Sequence, residues 1–162
     1  MFLGGVMQTT GNRPPGTLPQ KAKWMAADLQ RWAKKYNTPF KPNPHFPMMT
    51  LMVQRAAQEW VNRSDFERYL AAIFSAAWQD QKNIGDKEVL ADIVTTAGFS
   101  AEEFFAAAEN PANKEKLKAT TDEAVERGVF GAPTFFVTTP EGEEMHFGQD
   151  RLDFVEDALK RA

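Results

Sequence analysis

The sequence predicts an α/β domain, a long run of helices closed by a β-hairpin and a last helix, and three observations predict it. The run Gly128-Val129-Phe130-Gly131-Ala132-Pro133-Thr134-Phe135-Phe136-Val137 puts a proline at the head of an aromatic and β-branched segment. Proline gives up a ladder donor, so it belongs at a strand's first residue or on an edge. Further on, Phe147-Gly148-Gln149-Asp150-Arg151-Leu152 marks a second strand giving way to a helix, with a carboxylate at the junction. Ahead of both strands, apolar residues recur at helical spacing in five or six separate stripes.

The elements follow in order. Met1 to Met7 reads as the tail of a strand or a short helix; it is too short, and lacks the basic start, for a secretory signal. From Leu18 to Tyr36 the residues Leu18, Ala22, Met25, Leu29, Trp32 and Tyr36 alternate steps of four and three, one helical stripe that Asn37-Thr38-Pro39 ends. Pro39 to Pro47 carries four prolines in nine residues and predicts an extended connector. Met49, Met52, Val53, Ala56 and Trp60 form the next stripe. Ser64-Asp65-Phe66-Glu67 has the form of a capping box, opening a helix with Phe66, Leu70, Ile73, Phe74, Ala77 and Trp78. Val89, Leu90, Ile93 and Val94 continue to Gly98, a C-cap signal. Ser100 to Glu103 is a second capping box, and Asn110-Pro111 gives an N-cap and first-turn proline to a helix through Leu117, Thr121, Ala124 and Val125. These stripes read first as core, the usual fate of aromatic residues at helical spacing.

Composition narrows the function. The 162 residues, 43% apolar, fit one domain with a sizeable core. A formal charge of −3 argues against a nucleic-acid partner, and no apolar run is long enough to span a membrane. With no cysteine the chain carries no Cys-X-X-Cys pair, and its two histidines, His45 and His146, are far apart, so no metal site is expected. Any thiol chemistry must use a ligand's thiol. The bond before Pro133 can be trans, as at an ordinary strand entry, or cis, an uncommon form that usually serves a purpose.

Taken in order, Leu3-Gly4-Gly5-Val6, Thr10-Gly11-Asn12-Arg13-Pro14-Pro15, Lys21, a helical insertion, Gly131-Ala132-Pro133-Thr134 and Phe147-Gly148-Gln149-Asp150-Arg151-Leu152 resemble the bacterial 2-hydroxychromene-2-carboxylate isomerases. These are relatives of kappa-class glutathione transferases in the DsbA-like thioredoxin superfamily. The resemblance covers essentially the whole chain. It implies one thioredoxin-like domain over residues 1–162: a remnant of the second strand and its loop at 1–15, an all-helical insertion at 16–127, and strand, strand and helix at 128–162. It implies an enzyme with glutathione as cofactor, performing cis–trans isomerisation of a small aromatic or hydroxychromene-like acid in aromatic catabolism, as a cytoplasmic homodimer. Carried over residue by residue, Asn12 and Lys21 match positions lining the glutathione and substrate pocket. Ala132 matches the residue whose backbone pairs with the cysteinyl part of glutathione, and Pro133 the cis-proline. Gln149 and Asp150 match the pair holding the γ-glutamyl end, where an ammonium wants a carboxylate. Asp150 could equally N-cap the last helix, and Lys21 could be a surface lysine.

Family members begin with a strand, a Ser-Pro-Tyr-like turn, a helix and a second strand, and this chain matches only from the end of that unit. An N-terminally truncated thioredoxin-like domain is therefore the expectation. The family's catalytic serine lies in the unmatched segment, no residue of this chain takes that role, and little turnover by the 162-residue chain is expected. Kappa-like transfer or peroxide reduction, DsbA-like oxidoreduction and a non-catalytic binding remnant are the other readings.

Overall fold

A computed structural model describes residues 1–162. In chain order the helices are α1 (Leu3–Thr10), α2 (Pro19–Lys35), α3 (Leu51–Trp60), α4 (Phe66–Trp78), α5 (Lys87–Thr96), α6 (Ala101–Glu109), α7 (Pro111–Glu126) and α8 (Leu152–Leu159). The strands are β1 (Thr134–Thr139) and β2 (Gly142–Phe147). The chain divides into two units: Pro14–Ala119, and Met1–Arg13 with Thr120–Ala162.

In the helical unit, α3 to α6 enclose an aromatic core of Trp60, Tyr69, Phe99 and Phe104 with Leu90, Ile93 and Val94. Trp60 is at its centre, its ring 5.4 Å from Tyr69, 5.9 Å from Phe99 and 6.3 Å from Phe104. On α4 the stripe is rotated from the expected one. Tyr69, Ile73, Ala76 and Ala77 are buried while Leu70 and Phe74 stay exposed. A tyrosine can occupy the core because its hydroxyl finds a partner; here it donates to the Val53 carbonyl at 2.6 Å. Burial pushes the phenol's pKa well above its ordinary value, so that donor stays protonated. The stripe on α2 also departs from expectation: the helix buries no residue, and Leu18, Leu29 and Tyr36 remain exposed.

Side-chain caps mark the starts of α5, α6 and α7, while α1, α2, α3, α4 and α8 begin without one. Ser100 Oγ accepts from the Glu103 N–H at 3.2 Å, and Asn110 Oδ1 accepts from that of Ala112 at 2.9 Å. The expected box at Ser64 does not form. Asp65 makes no cap bond, because Arg63 and Arg68 hold its carboxylate at 2.9 and 3.5 Å. Asp86, which the stripes had not singled out, caps α5 by accepting from Glu88 and Val89 N–H at 2.9 and 3.1 Å. Asp86→Ala is expected to lower stability by about 1 kcal/mol, and Asp65→Ala by clearly less. Urea unfolding followed by circular dichroism ranks the two, and equal losses would contradict the assignment.

The other unit holds the sheet. β1 and β2 pair antiparallel with Thr134 opposite Phe147 and Thr139 opposite Gly142. Val137 and Ala158 are buried where α8 lies against β1. Arg127 braces the hairpin: its guanidinium is 3.7 Å from the Phe136 ring centre, and it pairs with Glu143 at 2.6 Å and Glu123 at 3.2 Å. Where a remnant of a strand was expected at the start of the chain, residues 3–10 form α1. A strand needs a neighbour for its backbone groups, whereas this segment satisfies them internally and ends at Gly11 in the left-handed region, φ 68°. Thr9 and Thr10 return their hydroxyls to the Gly5 and Val6 carbonyls. Val6 is fully buried, and the Phe2 N–H donates to Thr121 Oγ1 at 2.8 Å.

Candidate functional site

The end of the hairpin opposite its turn brings several of the expected residues together. The Ala132-Pro133 bond is cis. Ala132 and Pro133 are exposed, and the ladder begins only at Thr134, so the Ala132 backbone groups take no part in it. The Gly148 N–H donates to the Pro133 carbonyl at 3.0 Å. This bond extends the pairing of β1 with β2 one step past Thr134 and Phe147, so Gln149 and Asp150 follow directly on a residue bonded to Pro133.

Two glycines permit that approach. Gly148 sits at φ 105°, a conformation side chains rarely adopt, and a Cβ there would fall on the Asp150 carboxylate. A Cβ on Gly131 would lie 2.7 Å from the Phe147 ring. That ring in turn packs on Phe130, with centres 4.7 Å apart. Thr134 Oγ1 donates to the Gly131 carbonyl at 2.8 Å and tightens the turn before β1. Asn12 joins from the loop after α1: its Nδ2 donates to the Phe130 carbonyl at 2.7 Å, and its Oδ1 accepts from the Arg13 N–H at 2.8 Å. The sequence had pointed to Asn12 without this role. It buttresses the turn through the main chain.

Asp150 does not cap α8. Neither the turn Gln149–Arg151 nor α8 has a side-chain cap, and the carboxylate instead pairs with Arg151 at 2.8 Å while remaining 41% exposed. Gln149 is half-buried. Lys21 is exposed on the first turn of α2, in the helical unit. Sequence reasoning missed Gly148 as the link to Pro133, the Phe130 carbonyl and Arg151. A Phe-Gly pair directly ahead of Gln-Asp was the available signal for the first, since glycine at a strand end marks close backbone approach.

This arrangement offers recognition chemistry. Exposed main chain at Ala132 can meet an extended peptide, and the Asp150–Arg151 pair can meet charged ends. With no cysteine in the chain, no thiol is supplied from within.

A family model described as the DSBA-like thioredoxin domain matches residues 1–160. The chain belongs to the DSBA-like thioredoxin family. Within it, a 2-hydroxychromene-2-carboxylate isomerase of Pseudomonas putida is 31% identical over 164 aligned positions, covering 98% of this chain and 76% of that protein. Glutathione S-transferase kappa 1 of Caenorhabditis elegans is 27% identical over 174 positions, covering 99% and 75%. The solved structure of a 2-hydroxychromene-2-carboxylate isomerase superposes with a TM-score of 0.85 at 26% identity, over 99% of this chain and 77% of that one. This DsbA-like protein therefore stands with the isomerases and kappa-class transferases, as the ordered motifs of its sequence indicated. It has the DsbA-like thioredoxin fold in a helix-rich form with a two-stranded sheet. No helix is long and apolar enough to cross a membrane.

Proposed function

We propose that this protein binds glutathione at the Ala132-Pro133 turn and serves a glutathione-dependent cis–trans isomerisation of the 2-hydroxychromene-2-carboxylate type. The observation that carries the reading is the Gly148-to-Pro133 hydrogen bond, which lines up exposed main chain and a carboxylate along one end of the hairpin. Those residues fit a γ-glutamyl tripeptide. The Ala132 backbone would pair with the cysteinyl main chain beside Pro133, and Gln149 and Asp150 would hold the γ-glutamyl end, Asp150 as partner to its ammonium. Asn12 would keep the turn in place. Glutathione would supply a thiolate nucleophile, which adds to the substrate's double bond and leaves after rotation. The protein's own work is to orient the tripeptide and hold its charged ends. The resemblance to the isomerases also supports a cytoplasmic homodimer acting on a small aromatic acid.

Isothermal titration tests the binding. Glutathione is expected to bind, and the dipeptide Cys-Gly, which lacks the γ-glutamyl end, to bind more weakly. An absorbance assay with 2-hydroxychromene-2-carboxylate tests the chemistry: any turnover is expected to require glutathione. Failure of glutathione to bind, or equal turnover without it, would overturn the reading. The kappa-class relatives match 99% and 95% of this chain and favour glutathione transfer to an electrophile as the second reading. Consumption of an electrophilic aryl chloride in place of isomerisation would select it.

A further inference from the structure

Among the α-helices, α2 alone buries none of its residues. Its main contact is the short turn Pro15–Thr17, and large apolar side chains stay exposed from one end to the other: Leu18 at the N-cap, Trp24, Leu29, and Tyr36 at the C-cap. The same helix carries Lys21, Lys23, Arg31, Lys34 and Lys35 against a single carboxylate, Asp28. All five cations are exposed. The carboxylate is already engaged, accepting from Trp32 Nε1 at 3.1 Å and pairing with Arg31 at 3.4 Å. Lys35 lies 4.5 Å from the Trp32 ring centre, so cation and indole share one surface. The whole chain has a formal charge of −3, which makes α2 a basic strip on an otherwise acidic protein.

These features select the partner. Exposed apolar side chains call for an apolar medium, and unbalanced positive charge calls for anions beside it. A second copy meeting the strip in a two-fold interface would set α2 against α2, cation on cation. An acidic protein groove would supply anions, but it reads a helix through anchors on one face. Leu18, Leu29 and Tyr36 share a face of α2, whereas Trp24, 63% exposed, lies well round from them among the cations. A bilayer surface accepts both groups: aliphatic side chains enter the acyl boundary, and Trp and Tyr rings settle among the headgroups. We propose that α2 docks this protein on an anionic lipid bilayer, lying flat in the headgroup layer with its lysines on the lipid phosphates. No helix is apolar enough to cross a membrane, and lying on one needs only an exposed amphipathic surface. The docking uses no residue of the Ala132-Pro133 turn and does not depend on glutathione.

The probes are vesicles of phosphatidylcholine with about one third phosphatidylglycerol, and vesicles of phosphatidylcholine alone, sedimented with the full chain in low salt. Binding to the anionic vesicles is expected to be at least about tenfold tighter than to the neutral ones. A lysine close to an anionic surface is worth about a fivefold change in affinity, so Lys23→Glu with Lys34→Glu is expected to weaken binding by at least about tenfold. Leu18→Ala with Leu29→Ala keeps every charge and is expected to weaken it by at least about threefold through lost apolar burial. Lys23→Gln with Lys34→Gln replaces the glutamate pair if circular dichroism shows that the latter does not fold. Absence of binding to anionic vesicles, equal binding to neutral ones, or binding unchanged in either double variant would each overturn the proposal. So would a wild-type dimer that either double variant dissociates, because a second copy would then cover the strip.

Discussion

Replacing Trp60 by alanine is expected to cost about 3–5 kcal/mol of stability, the range for emptying a large aromatic site. Trp60 is 1% exposed, and its ring is stacked on Tyr69 with an interplanar angle of 8° and set edge-on to Phe99 at 79°. Those neighbours come from α4, the connection between α5 and α6, and α6, so collapse of the cavity would require several elements to move together. A domain with the usual 5–15 kcal/mol of stability would lose a large share of it. Trp60→Phe provides the contrast. Trp60 Nε1 is buried without a partner, a desolvated donor costing about 1–3 kcal/mol. Phenylalanine removes that donor along with part of the volume, so its net loss is expected to be less than half that of alanine. Urea unfolding monitored by circular dichroism reads both. Losses of equal size in the two variants would show that ring volume is not what the core requires.

Asp150→Ala is expected to weaken glutathione binding by about 1.5–3 kcal/mol, or one to two decades, the worth of one charge-assisted hydrogen bond. In the proposed role Asp150 holds the γ-glutamyl ammonium, two residues after Gly148, whose N–H is bonded to the Pro133 carbonyl. Arg151, 2.8 Å away, competes for the same carboxylate. The exposed setting also admits salt screening, so the loss is expected to shrink as ionic strength rises. A glutathione analogue lacking the α-amino group closes the cycle: it is expected to bind wild type and Asp150→Ala alike. An Asp150→Ala protein that binds glutathione within twofold of wild type would remove Asp150 from the site.

The parts legible in the sequence were those governed by local chemistry. Pro133 announced a strand entry because proline cannot donate to a ladder, and β1 begins at the next residue. Ser100 and Asn110 announced helix starts because their side chains reach back to nearby N–H groups. What the sequence concealed depended on competition between partners. Asp65 looked like part of a cap, but two arginines bind its carboxylate more favourably than the helix end does. Tyr69 lay outside the stripe read for its helix, and it is buried because the Val53 carbonyl gives its hydroxyl a partner. At the candidate site, Asn12, Ala132, Pro133, Gln149 and Asp150 could be named from motifs. The hydrogen bonds that gather them run through the backbone of Gly148, Pro133 and Phe130, and backbone carries no residue code.

The pairing of Thr134 with Phe147 ties the site to the bookkeeping of insertions and deletions. Moving one strand by a single residue shifts it by about 3.3 Å and turns every side chain to the opposite face. Such a slip would carry Gly148 out of reach of Pro133 and take Asp150 with it, although no residue of the site had changed. The turn at Pro140-Glu141 stands six residues away along either strand and can absorb an added residue without disturbing that register. Length variation accepted over evolutionary time therefore belongs at the turn, while the two six-residue strands act as a ruler of fixed length.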